Sequence, residues 1–284
     1  MVWGEKKMKE LRKEDVEVLD SGISGPRVII MGGVHGNEKC GVEAIEDFLS
    51  NPYSLIKGKV TFIKANRKAL DENVRFVEDN LNRCFTLEDL GNESYEKRLA
   101  KDIKSYLDES DFLLDLHAST SEDSFPFVIC ESNALAYAKN LDAEVICLGI
   151  EDAQPGGTEY YMNKIGGVGM CVECGYLGSN SSTLVAKKNI VNFLTTLGMI
   201  NSSLENISSD KTVVRVMYTY STSGEFKRFR EFRDFEPIRK GDIIGYEDNE
   251  ELLSDRDGFI LFARDVERNS KDRECFLFGE FINN

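Results

Sequence analysis

The sequence predicts an α/β protein, a mixed sheet flanked by helices, followed by a small all-β domain. Over residues 28–198, apolar strand-like runs alternate with amphipathic helix-like segments, which is typical of a sheet covered by helices. At 201–211 the chain becomes polar and rich in serine, as in a linker. After it come only short alternating segments separated by glycine-containing turns, the pattern of a small β domain.

The elements of the first part follow in chain order from their apolar patterns. Short β-branched or alternating apolar runs bounded by turn residues predict strands at 28–31, 59–66, 111–118, 125–132, 144–150 and 167–175. Apolar residues at helical spacing predict helices at 41–49, 93–107, 133–141 and 184–197. The last helix has its predicted apolar stripe at Leu184, Val191, Leu194 and Leu197, and Gly198 ends it.

The C-terminal part predicts strands within 213–220, 241–246, 257–266 and 274–282. We therefore divide the chain into an α/β domain at 1–205 and a β domain at 206–284. Within the second, phenylalanines recur every three residues among basic residues: Phe226, Phe229, Phe232 and Phe235. Base stacking on these rings is one interpretation. The acidity of the whole chain favours the other, in which the rings pack inside the β domain and the arginines face water.

Composition narrows the class of function. The formal net charge is −15, which argues against bulk nucleic-acid binding and against docking on anionic lipid by charge. No apolar run approaches the roughly 18 residues of a membrane helix, and the N-terminal stretch lacks the apolar core of a signal peptide. We therefore expect a cytoplasmic protein that binds neither nucleic acid nor membrane.

The seven cysteines are scattered and odd in number, so we expect no disulfide framework. Cys171 and Cys174 form a lone C-x-x-C. A structural zinc site needs further ligands at matching spacing, and none is present. A redox pair is the alternative, but two small buried residues on a strand are the simpler prediction.

Both histidines of the chain stand where a predicted strand ends. His35 and Glu38 lie in a glycine-rich turn after the first strand, and His117 ends a later one. In α/β sheets, ligands bind beyond the carboxyl ends of the strands. Two imidazoles and one carboxylate are a common ligand set for catalytic zinc, although each histidine alone could be an ordinary packed residue. The three residues predict a metal site, which Asp115 and Ser119 are close enough in sequence to support.

Four motifs add a family resemblance. They are "GGVHGNE", "NVRFVEDNLNRCF", "LLDLHAST" and "CVECG", in this order. Together they resemble the succinylglutamate desuccinylase/aspartoacylase family, zinc-dependent amidohydrolases related to carboxypeptidase A. The resemblance covers about residues 28–198 and implies a zinc carboxypeptidase-like fold, with a C-terminal β domain also expected.

The resemblance implies roles for individual residues. The family's ligands for one zinc ion per chain are matched by His35, Glu38 and His117. Glu173 matches the catalytic glutamate, which activates the zinc-bound water. Arg75 matches the arginine that polarises the scissile carbonyl, a contribution typically of about 3–4 kcal/mol to the barrier. Asn82 and Arg83 match the residues that hold a substrate carboxylate, for which a guanidinium is well shaped.

The activity that this implies is hydrolysis of the amide bond of a small N-acylated amino acid or related amine. Two alternatives stay open: a zinc carboxypeptidase acting on peptides, and a non-catalytic zinc-binding protein on the same fold. The sequence leaves the acyl group, the amine and the oligomeric state open.

One departure from the family bears on the substrate. The aspartoacylase branch has a tyrosine and an arginine upstream of the catalytic glutamate that help to read the substrate carboxylate. The corresponding stretch here contains no arginine and offers Tyr160, Tyr161, Asn163 and Lys164. N-acetylaspartate is therefore in doubt as the substrate.

Overall fold

The computed structural model describes residues 9–88, 91, 93–205, 207 and 210–282. Its strands are β1 (Val16–Asp20), β2 (Arg27–Gly32), β3 (Lys59–Lys64), β4 (Phe112–Ser119), β5 (Phe127–Cys130), β6 (Val145–Leu148), β7 (Val168–Tyr176), β8 (Thr212–Ser221), β9 (Phe226–Arg228), β10 (Glu236–Ile238), β11 (Ile243–Glu247), β12 (Glu250–Leu253), β13 (Gly258–Leu261) and β14 (Glu274–Phe281). Its helices are α1 (Cys40–Ser50), α2 (Arg67–Glu72), α3 (Tyr95–Leu107), α4 (Leu135–Ala138), α5 (Ile150–Ala153), α6 (Thr158–Lys164) and α7 (Asn180–Thr196). The predicted fold class, a mixed α/β sheet with helices and a small separate β sheet near the C-terminus, is confirmed.

The main sheet has the strand order β1-β3-β2-β4-β7-β5-β6-β8-β14-β13-β10. At its centre, β3, β2, β4 and β7 run parallel, so their carboxyl ends share one edge. β5 is antiparallel to β7. At the far end of the sheet, the pairs β8–β14, β14–β13 and β13–β10 are all antiparallel. The second sheet is β12-β11-β9. The central strands are buried along almost their whole length, as their continuous apolar runs predict.

The helices cover the two faces of this sheet with separate apolar cores. One core packs α1 and α7 against the sheet, and the other packs α3 against the opposite face. Ser94 begins α3 by accepting a hydrogen bond from the Lys97 backbone N–H at 3.3 Å. The central strands are therefore packed between apolar side chains on both faces of the sheet.

The apolar stripe predicted for α7 is partly wrong. Leu184 is 57% exposed, whereas the helix buries Ala186, Ile190, Phe193 and Leu194. The helix begins at Asn180, four residues earlier than predicted, and only Leu194 and Leu197 of the predicted stripe are buried. The structure also contains β1, α2 and α6, which the apolar patterns did not predict because these elements are short or partly exposed.

Truncating Phe193 should be strongly destabilising. Its fully buried ring packs edge-on against Phe112, with the ring centroids 6.3 Å apart. We expect Phe193→Ala to lower the free energy of unfolding by about 3–5 kcal/mol, because it leaves a cavity in the core. Urea unfolding would measure this, with the exposed Leu184→Ala as the control at within about 0.5 kcal/mol of wild type. Equal losses in the two variants would contradict this packing.

The main sheet continues past the predicted domain boundary. β8 pairs in parallel with β6, and Val145 lies opposite Thr212. Residues 206, 208 and 209 of the predicted linker lie outside the described residues. The division at 205/206 stays a prediction, and the strands on its two sides share one sheet.

The phenylalanine-rich segment packs largely as predicted. Phe226, Phe232 and Phe235 are buried, whereas Phe229 is 50% exposed. The neighbouring arginines form ion pairs: Arg228 with Asp265, Arg230 with Glu236, and Arg233 with Asp123. In the part of the chain that the structure describes, no helix combines the length and the apolarity needed to cross a bilayer.

Candidate functional site

The turn after β2 brings His35 and Glu38 to the carboxyl edge of the sheet. It needs two glycines. Gly33 has a φ of 74°, in the left-handed region, and a Cβ on Gly36 would lie 2.0 Å from the Ala69 carbonyl carbon. The Gly36 N–H donates to the Arg75 carbonyl at 3.2 Å, which ties this turn to the segment after α2.

His117 and Glu173 reach the same edge on neighbouring strands. β4 and β7 are parallel, and His117 lies directly opposite Glu173 in their register. Both side chains are buried, as are those of His35 and Glu38. The parallel arrangement of β2, β4 and β7 therefore gathers residues that are far apart in sequence.

The three predicted metal ligands converge. His35 Nδ1 lies 2.8 Å from Glu38 Oε1, and His117 Nδ1 lies 2.9 Å from Glu38 Oε2. One candidate ligand atom from each residue lies within 4.8 Å of the others. Two imidazole nitrogens and a carboxylate around one point match the donor set of a catalytic zinc site, so these residues could hold a metal ion.

The second nitrogen of each imidazole faces an oxygen. His35 Nε2 lies 3.1 Å from Asn80 Oδ1, and His117 Nε2 lies 3.1 Å from Asp115 Oδ2. The Asn80 contact is a hydrogen bond of the kind that orients metal-binding histidines, whereas Asp115 approaches His117 Nε2 as an ion-pair partner without hydrogen-bond geometry. Asp115 thus lies where the sequence suggested, whereas Ser119 instead donates to Asp234 of the C-terminal segment at 2.8 Å. Asn80 was missed, although it lies inside the quoted motif "DNLNRCF".

The environment shifts the pKa values of the buried groups in opposite directions. Burial and the nearby Arg75 lower the pKa of His35 to about 4, which keeps this ring neutral as a ligand requires. Burial opposes ionisation of Glu38, but its two histidine neighbours outweigh it and hold the pKa of Glu38 well below its usual range. Burial, followed by the charge of Glu38, raises the pKa of Glu173 to about 8. Two carboxylates with such divergent pKa values suit different roles, one as a ligand and one in proton transfer.

Arg75 lies against the metal-ligand cluster. Its Nη1 donates to Glu38 Oε1 at 2.9 Å. Its Nε is buried and has no hydrogen-bond partner among the residues that the structure describes. Glu173 Oε2 is likewise buried and without a partner in the described ranges. Both groups line the same cavity, so each has hydrogen-bonding capacity left for a ligand.

Asn82 and Arg83 also line the cavity, but Arg83 is already paired. Its Nε and Nη2 donate to the two oxygens of Glu274 on β14 at 2.8 and 2.9 Å. The Asn82 Oδ1 accepts from the Thr158 N–H at 3.3 Å. The guanidinium predicted to hold a substrate carboxylate thus holds a carboxylate of the protein itself, and no local pattern in the sequence predicts this pairing.

The cavity has a volume of about 140 Å³. Its lining from the C-terminal segment is Phe262, Arg264, Glu274, Phe276 and Leu277. Apolar side chains such as Ile129 and Ile150 complete part of the wall. The residues on both sides of the predicted domain boundary therefore build one site.

Upstream of Glu173, the stretch that departs from the aspartoacylase pattern contributes Glu159 and Cys171 to the cavity. Tyr160, Tyr161, Asn163 and Lys164 lie within the described part of the chain, and none of the four lines the cavity. Tyr161 instead donates to Asp108 at 2.8 Å. Glu159 was not among the predicted site residues, although it directly precedes Tyr160 in that stretch.

Cys171 forms a second potential ligand group with His117 and Glu173. Burial and the nearby carboxylates raise the pKa of Cys171 well above its usual value, so its thiol keeps its proton. The thiolate is the form that binds metal, which favours the group with Glu38. Cys171 and Cys174 are both buried and not disulfide-bonded, as predicted for residues on a strand.

Comparisons with known proteins identify similar chains. The sequence model of the "Succinylglutamate desuccinylase/Aspartoacylase catalytic domain" matches residues 24–197. The chain is 27% identical to an N-acyl-aromatic-L-amino acid amidohydrolase (carboxylate-forming) from Rattus norvegicus, over 90% of this chain and 91% of the relative. It is 28% identical to a probable aspartoacylase from Nostoc sp., over 77% and 83% of the two chains. A crystal structure of succinylglutamate desuccinylase/aspartoacylase from Rhodobacter sphaeroides matches with a TM-score of 0.73 and 23% identity, over 95% and 89% of the two chains.

Proposed function

The chain belongs to the succinylglutamate desuccinylase/aspartoacylase family, and from this premise we propose that it is a zinc-dependent deacylase. It hydrolyses the amide bond of a small N-acylated amino acid or related amine. The observation that carries the proposal is the convergence of three candidate ligands beside Glu173 in one buried cavity. Relatives named as aspartoacylase and as N-acyl-amino acid amidohydrolase support the same class of reaction.

His35, Glu38 and His117 would hold the ion, one per chain. When bound, zinc supplies positive charge that acidifies water and polarises a carbonyl group. Asn80 orients His35 through a hydrogen bond, and the Asp115 carboxylate lies 3.1 Å from His117 Nε2, where its charge favours a proton on that nitrogen and leaves Nδ1 for the ion.

Glu173 is the proposed acid–base group. Its partner-free Oε2 accepts a proton from the water that attacks the carbonyl carbon. The same carboxyl then delivers that proton to the nitrogen as the C–N bond breaks, which gives a carboxylic acid and an amine. The proton of the acid then passes to the amine, so the products leave as a carboxylate and an ammonium ion. Burial and the charge of Glu38 raise the pKa of Glu173 in the absence of the ion, and the positive charge of bound zinc opposes this shift, which favours the ionised form that accepts the proton.

Arg75 is the proposed donor to the carbonyl oxygen, through hydrogen-bonding capacity that Glu38 leaves free. A guanidinium fixed there stabilises the negative charge that develops in the tetrahedral transition state. Asn82 and Arg83 are proposed to contact the substrate next to the scissile bond. Because Glu274 already grips Arg83, a substrate carboxylate reaches that guanidinium only by sharing it or by displacing Glu274.

The form of the cavity supports a small substrate rather than a peptide. Residues from β14 and the segment around Phe262 line it together with the ligands, so the C-terminal part of the chain limits access. We retain 1–205 as the proposed hydrolase domain and assign the remainder the role of closing the site.

The test starts with purified full-length protein supplied with zinc. We expect about one zinc per chain by elemental analysis, and amine release from a panel of N-acetyl and N-succinyl amino acids. Removal of the ion by a chelator should abolish turnover, and added zinc should restore it. Stoichiometric zinc without turnover of any acyl compound would favour the non-catalytic alternative. Cleavage of C-terminal residues from long peptides would favour a carboxypeptidase.

Arg75 gives a separate prediction. We expect Arg75→Gln to lower kcat/KM by about 10²–10³-fold with zinc content retained, because a charged donor to the carbonyl oxygen is lost. Arg67→Gln is the matched control, since Arg67 pairs with Asp15 and does not line the cavity. A decrease of less than threefold in the Arg75 variant would remove Arg75 from the reaction.

A further inference from the structure

Glu159 places in the cavity a carboxylate that none of the proposed steps uses. It is the second residue of α6, and it is only 4% exposed. Space for its carboxylate depends on Gly157, because a Cβ there would lie 2.5 Å from Glu159 Oε2. The side chain is thus buried and accommodated at the wall of the same cavity that holds His35, Glu38 and Glu173.

Among the described residues, this carboxylate has no ion-pair partner, although His117 and Arg83 favour its charged form from a greater distance. Among the described residues, no lysine, arginine or histidine nitrogen lies within 4.0 Å of it in an ion pair. The hydroxyl of Thr158 is 3.5 Å away, but it lies 2.5 Å from Asp115, and one hydroxyl carries a single hydrogen. Burial raises the pKa of Glu159. The hydrogen bond from its own backbone N–H lowers this pKa, but by less. Burying a carboxylate without an ion-pair partner costs free energy that a bound cationic group can recover.

The cationic groups of the cavity are, by contrast, already neutralised. Arg75 donates to Glu38 at 2.9 Å, and Arg83 grips Glu274 through two nitrogens. Arg264 lies 2.6 Å from Asp272. An anionic substrate group therefore meets guanidinium groups that already have carboxylate partners, with the Arg75 Nε left over, whereas a cationic group meets a carboxylate without an ion-pair partner among the described residues.

We infer that Glu159 binds a protonated amino group of the substrate. The substrate class of this site is then an N-acylated diamine or diamino acid, not an acylated acidic amino acid. This inference rests on the proposed deacylase function and names its substrate class. The pairing of a buried ammonium with a buried carboxylate gives strong discrimination, because a neutral analogue leaves the carboxylate unpaired.

A purely structural role is the competing explanation. Glu159 lies in the first turn of a helix, where a negative charge is stabilising. In that case, replacing Glu159 changes the melting temperature and changes kcat/KM by the same factor for all substrates. The ratio of kcat/KM values for two matched substrates, rather than the activity on one of them, therefore distinguishes ammonium binding from a structural role.

The experiment compares three probes on the zinc-loaded full chain: Nα-acetyl-L-ornithine, Nα-acetyl-L-norvaline, which lacks only the terminal amino group, and N-acetyl-L-glutamate. We expect wild type to prefer the ornithine over the norvaline compound by about 10²-fold in kcat/KM, with the glutamate compound poorest. Glu159→Gln should bring the ornithine-to-norvaline ratio to near one. Glu151→Gln is the control, because this buried carboxylate accepts from Asn163 outside the cavity, and it should keep the wild-type ratio.

Three results would overturn the inference while leaving the deacylase proposal standing: equal rates for the ornithine and norvaline probes, an unchanged ratio in Glu159→Gln, or a preference for the glutamate probe. If none of the three probes is cleaved, calorimetric titration with free L-ornithine and L-norvaline decides. Tighter ornithine binding by wild type, lost in Glu159→Gln, would support the ammonium site although the deacylase proposal fails on these compounds. Equal binding of the two amino acids would overturn the site.

Discussion

Replacing His117 by alanine is expected to remove both the zinc and the activity. The variant should contain less than about one tenth of the wild-type zinc and show no measurable amide hydrolysis. The residual pair, His35 and Glu38, offers too few ligands to hold the ion tightly. In wild type, a ligand that binds only the folded state raises the melting temperature as its concentration rises. That zinc-dependent increase should disappear in the variant.

The control for this variant is Leu116→Ala, one residue earlier on β4. Leu116 is buried in the core on the face covered by α1 and α7. Its truncation is expected to cost about 2–5 kcal/mol in unfolding free energy but to leave the zinc content at about one per chain. Elemental analysis of the two variants separates loss of a ligand from loss of stability. Full zinc occupancy in His117→Ala would exclude this residue from the metal site.

Replacing Glu173 by glutamine is expected to leave zinc bound and to lower kcat by about 10²–10⁴-fold. The amide keeps the size of the side chain but cannot accept the proton of the attacking water. The carboxylate must be ionised to act as a base, so wild-type kcat/KM should fall as the pH decreases through the pKa of Glu173. Burial and Glu38 raise that pKa, whereas the charge of the bound ion lowers it, so the position of the acidic limb reports the balance of these effects in the zinc-loaded enzyme.

The pH profile also identifies the group. The residual activity of Glu173→Gln should lack the acidic limb of the wild-type profile. Cys174→Ala serves as a neighbouring control, because Cys174 is buried in the core on the other face of β7 and does not line the cavity. Wild-type activity in the glutamine variant, or zinc loss in it, would contradict the proposed role.

Much of the fold could be predicted because its central strands are apolar on both faces. The runs that became β2, β4 and β7 are continuous and end at polar residues, so their buried position and their functional edge follow directly from the pattern. The exposed strand β1 has no such run, since it is only half-buried at the edge of the sheet. The short helix α6 was not predicted either, because its 7 residues form too few turns to show the helical spacing of apolar residues.

Within the site, the sequence could identify residues that act through a local motif. His35 and Glu38 lie three residues apart, and His117 stands at a strand end, so parallel pairing suffices to bring them together. The partner of Arg83 is different in kind. Glu274 lies 191 residues away, and only the order of strands beyond β6 brings β14 over the cavity. No local pattern encodes such a contact, which is why the engagement of Arg83 was missed.

The passage of the main sheet through the proposed domain boundary also affects how the protein can be divided. β6 is apolar at all four positions and is hydrogen-bonded on one side to β8, which follows residue 205. A fragment ending at 205 would leave this strand as an open edge with unpaired backbone groups. Exposed apolar edges of this kind pair with other chains and aggregate. The C-terminal segment therefore also serves as a built-in protection against self-association of the strands that carry the site.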